Sequence, residues 1–211
     1  MPDYTLTIQP EFTSLQRFSL RALALFGWRV KFAPLPGPRG VLIVYPHTSN
    51  WDVVICLLAK WAVGIRVHWL GKESLFQGLS GVVLGPLLRA WGCEPVERNT
   101  STGAVDRLAQ HIRKANFYWL ALAPEGTRYY HDNWRSGFYH IARSARVPVG
   151  LACIDYAAKE VRLVRYQILS GDVEADLERI RAEYEGCVGL RPEYAAPIKF
   201  GTAEQRETTI D

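Results

Sequence analysis

Short apolar runs rich in β-branched and aromatic residues recur along this chain at strand length, and between them lie segments whose apolar residues keep helical spacing. The runs are VLIVY (41–45), RVHWLG (66–71), a short one around GCEPV, FYWLALA (117–123), VPVGLACIDY and VRLVRYQIL. The helical segments fall at about 50–62, in an apolar stretch reaching 90, at 102–115 with Val105, Leu108 and Ile112 inward, at 136–145, and at 172–185 with Val173, Leu177, Ile180 and Tyr184 in register. Strands separated by helices pair through crossovers, so the alternation predicts an α/β fold with a mostly parallel central sheet flanked by helices. Ahead of the first strand, 12–28 reads as one more helix, with Phe12, Leu15, Phe18, Ala22, Leu23, Leu25 and Phe26 in one broad arc and Arg17 and Arg21 opposite. Two roles fit this amphipathic segment (12–31): docking in a lipid interface, or packing on the chain's own core. From Arg191 to the end the chain is polar and is expected to be peripheral.

A chain of 211 residues, 48% hydrophobic, can bury a core of catalytic size, and no repeat or linker-like run divides it, so one domain over 1–211 is expected. The longest apolar stretches, VVICLLAKWAVGI (53–65, broken by Lys60) and LSGVVLGPLL (79–88), fall short of the ~20 residues a spanning helix needs. The start, MPDYTLTIQP, has an acid near its front and no apolar core segment, so neither a membrane span nor a secretory leader is expected. Cys56, Cys93, Cys153 and Cys187 are far apart and form no Cys/His cluster at metal spacing. Neither a disulfide framework nor a zinc site is therefore expected, and a reducing compartment is the simpler reading. Residues 1–150 carry 17 Lys and Arg against 9 Asp and Glu, whereas 151–211 carry 8 against 12, so the basic part faces something anionic. The basic residues are dispersed and no aromatic–basic platform recurs, which argues against nucleic acid. Arg makes up 19 of the 25 basic residues, and its forked guanidinium suits a phosphate.

Two strands share one kind of ending, because VLIVY-PHTSNWD and FYWLALA-PEGTR both place polar residues directly after an apolar run and a proline. In α/β sheets, ligands bind beyond the carboxyl ends of the strands. His47 and Asp52 are five residues apart, an interval that in a continuous helix would leave them on different faces. If His47 lies in the turn and Asp52 in the first helical turn, the imidazole can fold back onto the carboxylate. A carboxylate-held imidazole takes a proton from a hydroxyl near neutral pH, and no Ser or Cys nucleophile is needed where the substrate brings its own hydroxyl. SNWD is equally a capping box, which alone would account for Asp52. In PEGTR, Gly126 allows close backbone approach, Thr127 offers a hydroxyl and Arg128 a forked cation suited to phosphate, although a turn with a surface Glu125–Arg128 pair reads as well. Lys72 and Arg98 each follow a strand and are weaker signals.

In this order the motifs resemble the glycerolipid acyltransferases typified by 1-acylglycerol-3-phosphate acyltransferase. HTSNWD is similar to that family's His-x4-Asp block, EPVER to its second block, PEGTR to its third and VPVGLACIDY to its fourth, while WRSGFYHIA resembles the basic-x-Gly helix start after the third. The resemblance covers roughly 38–156; EPVER has Glu97-Arg98 where Asp-Arg is commoner, and no Ser follows Arg128. It implies transfer of a fatty acyl group from acyl-CoA or acyl-carrier protein, as co-substrate and with no cofactor or metal, to the hydroxyl of a lysophospholipid in phospholipid synthesis, 1-acylglycerol-3-phosphate foremost, with a non-phosphate lysolipid as the alternative acceptor. His47 would be the general base and Asp52 its orienter, with Lys72, Arg98, Glu125, Gly126, Thr127 and Arg128 binding the acceptor. The enzyme would sit in the cytoplasm, peripheral on the inner face of the membrane. A thioester or lipid hydrolase is the nearest rival, but there is no G-x-S-x-G elbow. A metal-dependent hydrolase using His47, Asp52, His131, Asp132 and His140 lacks metal-binding helical spacing, and a catalytically idle lipid-surface module would need neither His47 nor Asp52.

Overall fold

A computed structural model describes residues 3–96 and 103–201. In chain order the elements are α1 (Ser14–Leu25), β1 (Arg29–Phe32), β2 (Arg39–Tyr45), α2 (Trp51–Val63), β3 (His68–Lys72), α3 (Gly78–Ala90), β4 (Cys93–Val96), α4 (Ala104–Lys114), β5 (Tyr118–Leu122), α5 (Gly137–Ala145), β6 (Val149–Asp155), β7 (Glu160–Gln167) and α6 (Val173–Tyr184). Among the described residues the strands form one sheet in the order β1-β7-β6-β2-β5-β3-β4. Every neighbouring pair is parallel except β6 and β7, which only a four-residue turn at 156–159 joins. The mostly parallel sheet flanked by helices is thus what the chain forms.

Strand β2 lies in the middle of this sheet and is covered on both faces, which is why VLIVY is continuously apolar rather than alternating. Val41 and Ile43 join Ile112 of α4, Phe138 of α5 and Leu177 of α6 in one core cluster. Leu42 turns the other way, to Trp119 and Ala152, and Val44 reaches the cluster shared by α1 and α2. Because β2, β5 and β6 run in parallel side by side, their carboxyl ends open on one edge of the sheet.

Several expectations need correction. The N-terminal helix starts at a capping box between Thr13 and Gln16 and stops at Leu25, and Arg29–Phe32 leave it to pair with β7 as a strand. Gly27 makes the break, at a φ of +78° that side-chain-bearing residues rarely adopt. The helix is also rotated from its predicted arc: Ser19, Leu20 and Leu23 are buried, the two leucines in one cluster with Ile55, Ala59 and Ala62 of α2, while Phe18 and Leu25 are 61% and 80% exposed. The apolar set of α1 is wider than the contact α2 offers, so periodicity alone could not select the docked slice.

The segment after Arg191 is packed, not peripheral, as far as it is described. Ala196 is fully buried, the Lys199 carbonyl accepts from the Trp134 amide at 2.7 Å, and the Ile198 carbonyl accepts from Arg181 Nε at 2.9 Å. Backbone groups do the anchoring, which composition does not reveal. Finally, Cys153 and Cys187 form a disulfide across a separation of 34 residues, against the expectation of none, and Cys56 and Cys93 are free. The chain leaving α6 returns across the end of β6, and only that return makes two distant cysteines neighbours. No helix among the described residues is long and apolar enough to cross a membrane.

Candidate active site

Pro46 ends β2, since it has no N–H for the ladder, and residues 46–50 turn the chain into α2. Asp52, in the first helical turn and 1% exposed, reaches back over that turn. Its Oδ2 accepts from the amides of Thr48 (2.8 Å) and Ser49 (2.9 Å) and lies 3.0 Å from His47 Nδ1. Its Oδ1 accepts from the Tyr156 hydroxyl at 2.6 Å. The five-residue interval therefore does bring imidazole and carboxylate together. The capping reading holds in part beside it: Asp52 Oδ2 accepts from the Ser49 amide as a SNWD capping box requires, and Ser49 Oγ accepts from the Trp51 amide at 3.1 Å, while Asn50, the residue directly before the helix, makes no side-chain cap bond.

Burial pushes the Asp52 carboxyl up, but donation from His47, from Tyr156 and from the Ser49 amide outweighs it and holds the group below the usual carboxylate range. An ionised carboxylate only accepts, so His47 donates its Nδ1–H to it, which leaves the Nε2 lone pair of the neutral ring free as an acceptor. The His47 side chain is 19% exposed, enough for a substrate hydroxyl to reach it.

The turn after β5 stands beside this pair. Glu125 is 2% exposed, and its Oε2 accepts from the His47 amide at 2.6 Å while Oε1 accepts from the Ala196 amide at 3.1 Å. The carboxylate thus braces the backbone that carries the imidazole, from behind. Burial pushes it up to about 7, with the two amides opposing and the charge of Asp52 adding. Gly126 has a φ of +69°, and the Arg135 side chain fills the place where a Cβ would stand, so close approach is real and comes from Arg135. Thr127 Oγ1 accepts from the Tyr129 amide at 3.4 Å. Arg128 is exposed and has no ion pair among the described residues, Glu125 included. Lys72 closes β3, its side chain outside the described part, and Arg98 lies outside the described residues altogether.

Three contacts around His47 have no counterpart in the sequence reading: Tyr156 on Asp52, the Arg191 amide donating to Thr48 Oγ1 at 3.2 Å, and the Tyr156 amide donating to the Val188 carbonyl at 2.8 Å. Tyr156 carried one usable signal, since it is a polar residue straight after an apolar strand, as His47 and Glu125 are. The segment 188–191 carried none. Burial pushes the thiols of Cys56 and Cys93 up to about 12 and about 11, so neither supplies a thiolate at neutral pH. His131, Asp132 and His140 are exposed, and among the described residues no group of three His, Cys, Asp or Glu is placed to hold a metal ion.

With this geometry in hand, comparison with known proteins gives two findings. The family model described as Acyltransferase matches residues 30–154. Among solved structures the fold is similar to the crystal structure of the 1-acyl-sn-glycerophosphate (LPA) acyltransferase PlsC from Thermotoga maritima, with a TM-score of 0.52 and 17% identity over 82% of this chain and 78% of that one. No curated protein matches.

Proposed function

The chain belongs to the acyltransferase family, and on that premise we propose that it moves a fatty acyl group from a thioester, acyl-CoA or acyl-carrier protein, to the hydroxyl of a lysophospholipid, with 1-acylglycerol-3-phosphate as the acceptor. The observation that carries the reading is the 3.0 Å contact between His47 Nδ1 and Asp52 Oδ2 at the carboxyl end of β2, beside the PEGTR turn. In the proposed step Nε2 takes the acceptor's hydroxyl proton as the oxygen attacks the thioester carbon. The C–S bond breaks, and the imidazolium returns its proton to the departing thiolate. Asp52 stays ionised throughout and stabilises the imidazolium, and the brace from Glu125 keeps the ring's backbone from drifting. Arg128, with Arg98 from the second block, grips the acceptor's phosphate through guanidinium forks.

A lipid surface is the proposed place of work. The exposed Leu15, Phe18, Leu25 and Phe26 of α1 and its C-cap, with Arg17 and Arg21 alongside, support docking by apolar insertion and by attraction of anionic head groups. The similarity to an enzyme that acylates 1-acyl-sn-glycerophosphate supports a phosphate-bearing acceptor.

The test is transfer from labelled acyl-CoA to lysophosphatidic acid. His47→Ala should lower turnover by about 10²–10⁴ while the fold stands, and label should end in lipid, not in free acid. Turnover above about a third of wild type would refute the base. In the same assay Arg128→Ala should raise the KM for lysophosphatidic acid about tenfold or more, from the loss of a charge-assisted bond, and leave the KM for an uncharged lysolipid nearly unchanged. Equal rises on both acceptors would withdraw the phosphate.

A further inference from the structure

The two oxygens of Asp52 are served very unequally. Oδ2 receives His47 and two backbone amides from the turn, all within 47–49, so a local turn accounts for them. Oδ1 receives one donor, and that donor comes from 104 residues away at the end of another strand. A carboxylate is symmetric and flips about its last torsion unless something distinguishes its two oxygens. In this site the only described group that does so from outside the turn is the Tyr156 phenol.

We infer that Tyr156 is a positioning residue for the proposed base, whose hydroxyl, donating to Asp52 Oδ1 at 2.6 Å, fixes the plane of the carboxylate so that Oδ2 meets His47 Nδ1. The inference rests on His47 being the base. Tyr156 is well placed to act so, because it is itself held on two sides. Its ring stands edge-on to Trp28 at 4.9 Å between centroids and 88° between planes, and Trp28 is buried. Its amide donates to the Val188 carbonyl at 2.8 Å, next to the disulfide-bonded Cys187. The phenol stays protonated: burial and then the neighbouring Asp52 push its pKa far above the ordinary tyrosine range, so it remains a donor at every working pH. Among the described residues, the other titratable groups facing the pair are Cys56 on α2, which stays a neutral thiol, and Glu125 after β5.

Removal of the hydroxyl has two consequences that a purely structural tyrosine would not have. A carboxylate relieved of a donor is more basic, so it binds the imidazolium more tightly and His47 gives up its proton at higher pH. The base is then charged, and idle, over a wider acid range, and its return of the proton to the leaving thiolate is slower. Tyr156→Phe keeps the ring on Trp28 and deletes only the donor. With acyl-CoA and lysophosphatidic acid as the probes, its kcat should fall about tenfold or more, as loss of a hydrogen bond to a charged group implies. Both KM values should stay within about twofold, and the acid limb of the pH–rate profile should move to higher pH. Incorporation of 3-fluorotyrosine at position 156, a stronger donor of nearly the same shape, should move that limb the other way and keeps the test open if Tyr156→Phe folds poorly. An acid limb and kcat unchanged in the folded variants overturn the inference, whatever happens to Tm. His47→Ala measured alongside separates the two readings. If it stays active the base is wrong, and if it is dead while Tyr156→Phe is as fast as wild type, only the role of Tyr156 falls.

Discussion

Glu125 is 2% exposed and turns its carboxylate inward, beneath the turn that carries His47. Its carboxylate is shared between the amides of His47 and Ala196, which belong to segments far apart in sequence, and a pKa of about 7 puts its titration inside the physiological range. The sign of the linkage follows from the shift being upward from 4.5. The native chain holds this proton between pH 4.5 and about 7 where the unfolded chain has lost it. Its contribution to stability is therefore complete below pH 4.5 and is lost as pH rises through about 7. Thermal melts across that window should show wild type losing this increment, and Glu125→Gln, which has nothing to titrate, declining less over the same range. The variant should also melt lower at the acid end, since one carbonyl oxygen cannot serve two buried amides, an unmet donor costing about 1–3 kcal/mol. A gap between the two melting curves that does not change with pH would show that Glu125 does not titrate there. At this scale the His47 and Asp52 pairing was legible, because five residues across a strand-to-helix turn leave little choice of partner. The direction of Glu125 was not, because a carboxylate in a turn reads as solvated until the neighbouring strand is in place.

Helix α1 divides its apolar residues between two surfaces. Leu20 and Leu23 are held by α2, and Leu15, Phe18 and Leu25, with Phe26 at the C-cap, are left to solvent. Packing on the chain's own core thus uses Leu20 and Leu23, and the proposed lipid docking would use the exposed residues of the same helix. Phe18→Asp together with Leu25→Asp changes only the outer surface, so the fold should stand. Removing two large apolar groups, each contributing about 1.5–3 kcal/mol when buried, should weaken binding to anionic vesicles at least about tenfold. Activity on a soluble short-chain acceptor should be kept. Salt should release the wild type only in part, because it screens Arg17 and Arg21 and leaves the apolar contact intact. Vesicle binding unaffected by the double substitution would move the lipid-facing surface elsewhere on the molecule.

Over the whole molecule, the chain's last described segment closes back on the turn that carries His47. The Cys153–Cys187 bond joins the end of β6 to the segment after α6, and shortly beyond it the Arg191 amide holds Thr48. A crosslink over 34 residues restricts the unfolded chain by about 4 kcal/mol in the chain-entropy picture. Reduction, or Cys153→Ser with Cys187→Ser, should lower Tm by about 10 °C. Turnover should begin to fall below that melting point, because 188–191 contacts both Thr48 and Tyr156. A reductant that leaves Tm and turnover unchanged would show that the bond carries no strength in solution.

The sequence by itself determined the alternation of strands and helices, the parallel sheet that follows from it, and the two strand ends that carry the candidate site residues, because each of these is written in periodicities of a few residues and in prolines that stop strands. Tertiary structure alone decided which slice of α1 is buried, that Arg29–Phe32 pair with β7, that Cys153 meets Cys187, and that Tyr156, Glu125 and Arg191 converge on one turn. Each of those depends on contacts between residues dozens of positions apart, and a local pattern holds no record of which distant backbone will arrive beside it.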